Sequence, residues 1–241
     1  MFSYEATADF STALSEVDLL IRASASNDDD LSAQNALNKA AILLLTAKLE
    51  SFFEQIVEEF CYQLSSMALP CERLPNPVRI HASRRLLNED FLCTLDRCNE
   101  EKVLPAMQAL SLLWHDGCVP QDIRVDTSFT YGKHGEKEIR RLFQRVGVND
   151  IFETCKIPYD QETLAVTDRE STDIVTSDVN ALTGLRNFII HNDGTPNVTH
   201  VQISRYRNRL FSFAEKIDQC LGHTRNSIEM PTANDTGAGS A

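Results

Sequence analysis

Ala40-Ala41-Ile42-Leu43-Leu44-Leu45 is apolar on every side when wound as a helix, so the segment that contains it belongs in the middle of a bundle. The helical pattern around it runs from about Ser32, a good N-cap, to Met67, and at ~1.5 Å per residue spans roughly 50 Å if unbroken. Glu50, Glu54 and Glu58 recur every four residues along it and read as a solvated acidic face, since a carboxylate metal set would want histidine partners that this helix lacks.

Working outward, residues 5–24 place Phe10, Leu14, Val17, Leu20 and Ile21 on one stripe, and Asn27-Asp28-Asp29-Asp30 breaks that helix. Beyond Met67, Pro70, Pro75 and Pro77 mark a connection. Shorter helices are predicted over 77–88 and 100–115, with Asn88-Glu89-Asp90 as the break. Gly117, Pro120, Gly132 and Gly135 punctuate an irregular region in which Ile123-Arg124-Val125 reads as a short extended piece. Helix resumes over 136–146 and stops at Gly147, residues 157–176 read as a polar loop, and Ser177 caps a helix that ends at His191. Asn192–Asn197 is a tight connection. Thr199-His200-Val201-Gln202 opens the last helix as a capping box, and Gly222 closes it. The expected architecture is an all-α bundle of long antiparallel helices. It is one domain over 1–222, with 89–176 as an insertion and 223–241 as a disordered tail.

Composition agrees with that class. Of 241 residues, 42% are apolar and 24% charged, and only nine are glycine, which argues against a turn-rich sandwich or barrel. No apolar run reaches the length of a membrane span and the start lacks the features of a signal peptide, so the cytoplasm is the expected location. Seven cysteines (61, 71, 93, 98, 118, 155 and 220) include no Cys-x-x-Cys pair and read as buried thiols of a reducing compartment. Cys93 and Cys98 are too far from histidines in sequence to suggest zinc; neither a metal nor a cofactor is expected. The net charge of −12 argues against loose electrostatic binding of nucleic acid. Residues 1–100 hold eight Lys/Arg against sixteen Asp/Glu, and the remainder fifteen against nineteen, so any RNA contact is expected in the second half.

The chemistry-bearing stretch is Gly184-Leu185-Arg186-Asn187-Phe188-Ile189-Ile190-His191-Asn192-Asp193. Histidine moves protons near neutral pH, arginine grips phosphate with two donors and asparagine orients either, a set suited to phosphoryl chemistry without a metal. Arginine followed four to six residues later by histidine is expected about once by chance here, whereas Arg-Asn-x3-His is expected only about 0.02 times. At ~100° per residue, Asn187 and His191 share a helix face but Arg186 lies about 140° from His191. A second copy across a two-fold axis would bring two of each into one cleft; the geometry permits that and does not demand it. Structural roles are open to the same residues. Arg186 could pair with Asp178, Asp193 or a partner helix, Asn187 could cap a turn, and His191 suits the helix C-terminal dipole.

The ending from Leu185 to Asp193 resembles the Arg-x4–6-His signature of HEPN domains, and Leu43–Glu54 is similar to the second helix of their RiboL-PSP-type branch. The resemblance spans about residues 5–222. It implies a helical bundle, a homodimer with the motifs facing one cleft, metal-independent ribonuclease activity, and settings such as toxin–antitoxin or anti-phage systems with an antitoxin or regulatory protein as partner. Arg186, Asn187 and His191 match the family's arginine, its following polar residue and its histidine. The tyrosine that some relatives carry two residues after the histidine is Asp193 here, so modification through it is not implied. In such an enzyme His191 would take the ribose 2′-hydroxyl proton or protonate the leaving 5′-oxygen. Arg186 would stabilise the phosphorane-like charge, and the products would be a 2′,3′-cyclic phosphate and a 5′-hydroxyl. Arg205 and Arg209 on the last helix, and Lys137 and Arg141 in the cluster Lys133, His134, Lys137, Arg140, Arg141, Arg145, are the candidate RNA contacts. The competing reading is a non-catalytic helical module that dimerises or holds a partner, which the acidic surface favours.

Overall fold

In the computed structural model, residues 2–27, 29–97, 99–129, 135–157 and 172–229 are described. The helices are α1 (Glu5–Ala25), α2 (Leu31–Ser66), α3 (Asn76–Leu86), α4 (Glu89–Asp96), α5 (Glu100–Trp114), α6 (Glu136–Gln144), α7 (Ile151–Thr154), α8 (Thr172–Asn192) and α9 (His200–Glu229), with a 3₁₀ turn at Cys71–Arg73. No strand occurs among the described residues, and no helix there is long and apolar enough to cross a membrane.

The 36 residues of α2 form the axis, about 54 Å long at 1.5 Å per residue. Contacts fix its neighbours' directions. Glu59, Phe52, Lys48 and Asn38 of α2 meet Glu5, Phe10, Glu16 and Ser24 of α1, so the pair is antiparallel. Lys39 and Glu50 meet Asp193 and Arg186, so α8 is antiparallel to α2 as well. Phe53 and Gln63 meet Phe213 and Arg225, which sets α9 parallel to it. The four long helices thus alternate in direction around a core in which Phe53 packs against Phe52, Phe129, Phe143 and Phe213, and Phe213 stacks on Phe152 at 5.2 Å.

Side chains from distant helices satisfy the ends of α1. Its first-turn N–H groups have no partner within the helix. The Asp218 carboxylate accepts from Ser3 N and Tyr4 N (2.9–3.1 Å), and Glu59 accepts from Glu5 N and Ala6 N at 2.9 and 3.0 Å. A second buried polar chain joins three elements at the other end. Ser24 Oγ donates to Asn38 Oδ1 (2.7 Å), and Asn38 Nδ2 donates to the Val198 carbonyl (3.0 Å) in the α8–α9 connection.

Several elements depart from the sequence expectation. Asp30, not Ser32, caps α2, its carboxylate accepting from Ser32 N and Ala33 N at 3.0 Å. Asn88 does not break the chain but caps α4, accepting from Phe91 N (2.9 Å). Residue 172 already belongs to α8, so Ser177 is interior to it; residues 158–171 of the expected loop lie outside the described residues. Gly222 does not end α9, which runs on to Glu229; a Cβ there would sit 3.0 Å from Ser3 Oγ, so glycine admits the close approach of the N-terminal segment. Of the expected tail, residues 223–229 are therefore helix, and 230–241 lie outside the described residues. The excursion from the bundle begins once α2 ends at Ser66, ahead of the expected 89, and α3, α4 and α5 pack on one another there. The Thr199–Gln202 capping box forms as expected: Thr199 N donates to Gln202 Oε1 (2.9 Å) and Gln202 N to Thr199 Oγ1 (3.3 Å).

On the acidic face of α2, Glu58 is exposed as expected, whereas Glu50 and Glu54 are half-buried. Ile123 and Val125 bury against the core while Arg124 points out, which makes the expected extended piece a strip laid along α2 with no sheet partner. Phe129 N donates to Glu54 Oε1 (3.3 Å), Thr127 Oγ1 to Glu58 Oε1 (2.8 Å) and Ile123 N to Ser65 Oγ (2.9 Å). Cys61, Cys71 and Cys155 are buried, Cys118 and Cys220 half-buried and Cys93 exposed; Cys98 lies outside the described residues. Burial pushes the Cys61 thiol up to about 12.

Asn38→Ala leaves both the Ser24 hydroxyl and the Val198 carbonyl without their partner, and urea denaturation should show about 2–3 kcal/mol lost. Burial pushes the Asp178 carboxyl up to about 6, against the opposing pull of Arg209. A raised carboxyl favours the fold below its unfolded value near 3.8, and that contribution is lost as pH rises through about 6. Urea midpoints of Asp178→Asn should accordingly vary less between pH 4 and 7 than those of the wild type.

Candidate active site

Helix α8 buries Val175, Asp178, Val179, Leu182 and Ile189, a face of helical period that holds it on the bundle. Asp178 is clamped to α9, with Arg209 Nη2 donating to Oδ1 (2.9 Å) and Nε 2.6 Å from Oδ2. At the far end the chain leaves the helix through Asp193, whose φ of +46° is left-handed, and Gly194 N donates to the Phe188 carbonyl at 3.4 Å. A Cβ on Gly194 would lie 2.2 Å from the Phe188 ring, so glycine lets that ring fold over the turn. Lys39 Nζ secures the turn to α2, 3.3 Å from the Asp193 carbonyl and 3.6 Å from its carboxylate.

On this frame Arg186 and His191 face different ways. Arg186 is half-buried against α2, its Nε 3.9 Å from Glu50 Oε1, and its Nη1 donates to Asn187 Oδ1 at 3.1 Å. Glu50, half-buried, has its carboxyl raised by burial, with Arg186 pulling it down and Glu54 pushing it up. His191 is exposed, flanked by exposed Phe188 (43%) and Ile190 (51%), and Val201 on α9 is also 49% exposed. A cavity of about 740 Å³ lies between α2 and residues 121–128 and not at the motif.

Of the expected structural partners for Arg186, the geometry sets aside Asp178 and Asp193 and bears out a partner helix, α2. Asp178 is taken by Arg209 and Asp193 by Lys39, so the partner of Arg186 is Glu50, which the four-residue acidic spacing had assigned to solvent. Asn187 is turned to Arg186 and not to His191. Among the candidate RNA contacts, Arg205 and Lys137 are exposed. Arg209 is held by Asp178, and Arg141 Nη1 is 2.5 Å from Glu138 Oε1. Other members of the two basic clusters are paired too: Arg207 with Asp18, Arg140 with Asp150 and Arg145 with Asp126. Lys133 and His134 lie outside the described residues. Away from the motif, ligand-type atoms of Cys71, Glu72 and Asp116 come within 4.8 Å of one another. Glu72 there accepts from Gly117 N (3.0 Å) and the Cys71 thiol donates to the His115 carbonyl (3.3 Å).

Sequence reasoning missed Glu50 and Lys39. The available signal for Glu50 was its position between Leu49 and Phe52-Phe53, where a glutamate on a buried helix needs a cationic partner.

No curated protein and no solved structure matches the chain. The sequence profile of the RiboL-PSP-HEPN family matches residues 8–223, from the first turn of α1 to the later part of α9, and the chain belongs to that family.

Proposed function

We propose that this protein is a metal-independent endoribonuclease that works as a homodimer. The observation that carries the reading is Arg186-Asn187-x3-His191 on the last turns of α8, with Arg186 aimed by Glu50 and Asn187 while His191 stands exposed. Within one chain the guanidinium and the imidazole are on different sides of the helix, and the large cavity lies elsewhere. A two-fold junction over the exposed Phe188 and Ile190 supplies what one copy lacks, because it would bury that apolar surface and face each His191 toward the partner's motif. In that cleft one His191 removes the 2′-hydroxyl proton as the 2′-oxygen attacks phosphorus. A protonated imidazole then delivers a proton to the departing 5′-oxygen, leaving a 2′,3′-cyclic phosphate and a 5′-hydroxyl. Arg186 stabilises the charge that gathers on the phosphoryl oxygens. A toxin or anti-phage role, under an antitoxin or similar regulator, is the setting that fits such an activity.

The exposed Phe188 and Ile190 also favour a second reading, a helical module that uses this face to dimerise or hold a partner and does not cut RNA.

RNA cleavage in EDTA separates the two. Wild type should cut, and His191→Ala should be slower by about a hundred- to ten-thousandfold. Arg186→Ala should lose about a hundred- to a thousandfold. Mixing the two inactive variants should restore part of the activity, because a mixed dimer holds one intact histidine and one intact arginine. Equal silence in all three proteins would leave the module reading. Glu50→Gln should keep the fold and lower kcat about tenfold or more with KM little changed, since it loosens the aim of Arg186 without removing it; single-turnover kinetics would read the split.

A further inference from the structure

Exposed cations of this acidic protein also lie outside the two basic clusters of the second half. A cavity of about 470 Å³ lies between α3 and the end of α6, lined by His81, Arg84, Arg85, Leu87, Asn88, Leu92, Asp126 and Arg145. Three guanidiniums and an imidazole therefore border one space, with Asp126 as the only acid lining it among the described residues. Asp126 is already engaged: its Oδ1 accepts from Ser128 N (3.2 Å) and Ser128 Oγ (2.7 Å), and Arg145 lies 3.8 Å from Oδ2 and donates to the Asp126 carbonyl. Among the described residues neither Arg84 nor Arg85 is in an ion pair, and both are exposed. Burial, then Arg145 and Arg84, hold the His81 imidazole below its ordinary value against the opposing pull of Asp126.

The cavity shares Arg85 and Asp126 with the larger one of about 740 Å³, which is lined on its α2 side by Tyr62. Tyr62 is 72% exposed, a large aromatic face on α2 that shares the larger cavity with Arg85 and Arg124 and with the acids Glu58, Asp122 and Asp126. Guanidiniums that take phosphate, next to an aromatic that takes a base, are the two elements of single-strand recognition without sequence preference. We propose that this double cavity is a binding trough for single-stranded RNA, in which Arg84 and Arg85 hold a backbone phosphate beside His81 and Tyr62 stacks an adjoining base. The inference rests on the reading of the protein as one that acts on RNA. It adds a holding site on α3 and α2, apart from the α8 motif, and lets a chain of net charge −12 bind RNA through one local exception to its acidity.

The test uses the full chain carrying His191→Ala, so that RNA is not cut, and follows the fluorescence anisotropy of an end-labelled single-stranded RNA in EDTA. Adding Arg84→Gln with Arg85→Gln should weaken binding about tenfold or more and make the salt dependence shallower by about one unit of log–log slope. Tyr62→Ala should weaken it about tenfold and Tyr62→Phe should not. Arg22→Gln with Lys216→Gln removes the same charge from exposed positions elsewhere and should stay within about twofold of the parent. Equal weakening by both double variants would assign binding to bulk charge and overturn the trough, as would no weakening by either. Binding of adenosine monophosphate without RNA would overturn the assignment in favour of a free nucleotide. Cleavage by an otherwise wild-type chain that is indifferent to Arg84 and Arg85 at subsaturating RNA would remove the trough and leave the α8 site standing. RNA held in the trough by a protein that never cuts would do the reverse.

Discussion

Burial of the broad apolar face of α2 is the constraint from which the rest of the molecule follows. α1, α8 and α9 pack on that face with alternating directions and the 121–129 strip lies beside it, while Ala47, Ser51, Gln55, Glu58 and Tyr62 stay exposed along the helix. The carboxylates that α2 carries into this environment then need partners. Glu50 takes Arg186, Glu54 the backbone of Phe129, Glu58 the Thr127 hydroxyl and Glu59 the first turn of α1. Acids one turn apart on the axis thus determine where three other segments lie. One of those segments is the helix with the candidate chemistry, so the site's arginine is placed by the same helix that organises the core.

The long helices were legible because their hydrophobic periods extend over many turns, which local exceptions cannot erase. The capping box at Thr199 was legible for a different reason: both of its partners lie within four residues. What escaped the sequence was decided by partners far along the chain. Gly222 reads as a stop until Ser3 is seen packed against it, and Glu50 and Glu54 read as a wet face until Arg186 and the backbone of Phe129 are seen beside them. Asn88-Glu89-Asp90 shows the limit of composition alone, since the asparagine that reads as a breaker is the cap that starts α4. For the site, the sequence located Arg186, Asn187 and His191 on one helix end and their angular separation, but not the glutamate that orients the arginine.

Charge is distributed by similar pairings. Arg140, Arg145, Arg207 and Arg209 each meet an aspartate, so the basic clusters of the second half are largely neutralised within the fold. Arg84 and Arg85, in the more acidic half, keep their charge facing outward. A count of charges per segment cannot tell a paired guanidinium from an open one.

The hydrogen bonds that close the start of α1 have a temporal consequence. Ser3 and Asp218 are 215 residues apart, so at roughly 5–20 residues per second a ribosome makes the carboxylate about ten to forty seconds after the amide it will accept. During synthesis α1 can pair with α2, whose Glu59 holds its first-turn amides, but Ser3 N and Tyr4 N wait until α9 emerges. Closure of the bundle at this end therefore follows the making of α9, and a nascent chain held short of Asp218 would leave the segment before α1 open to proteases and chaperones.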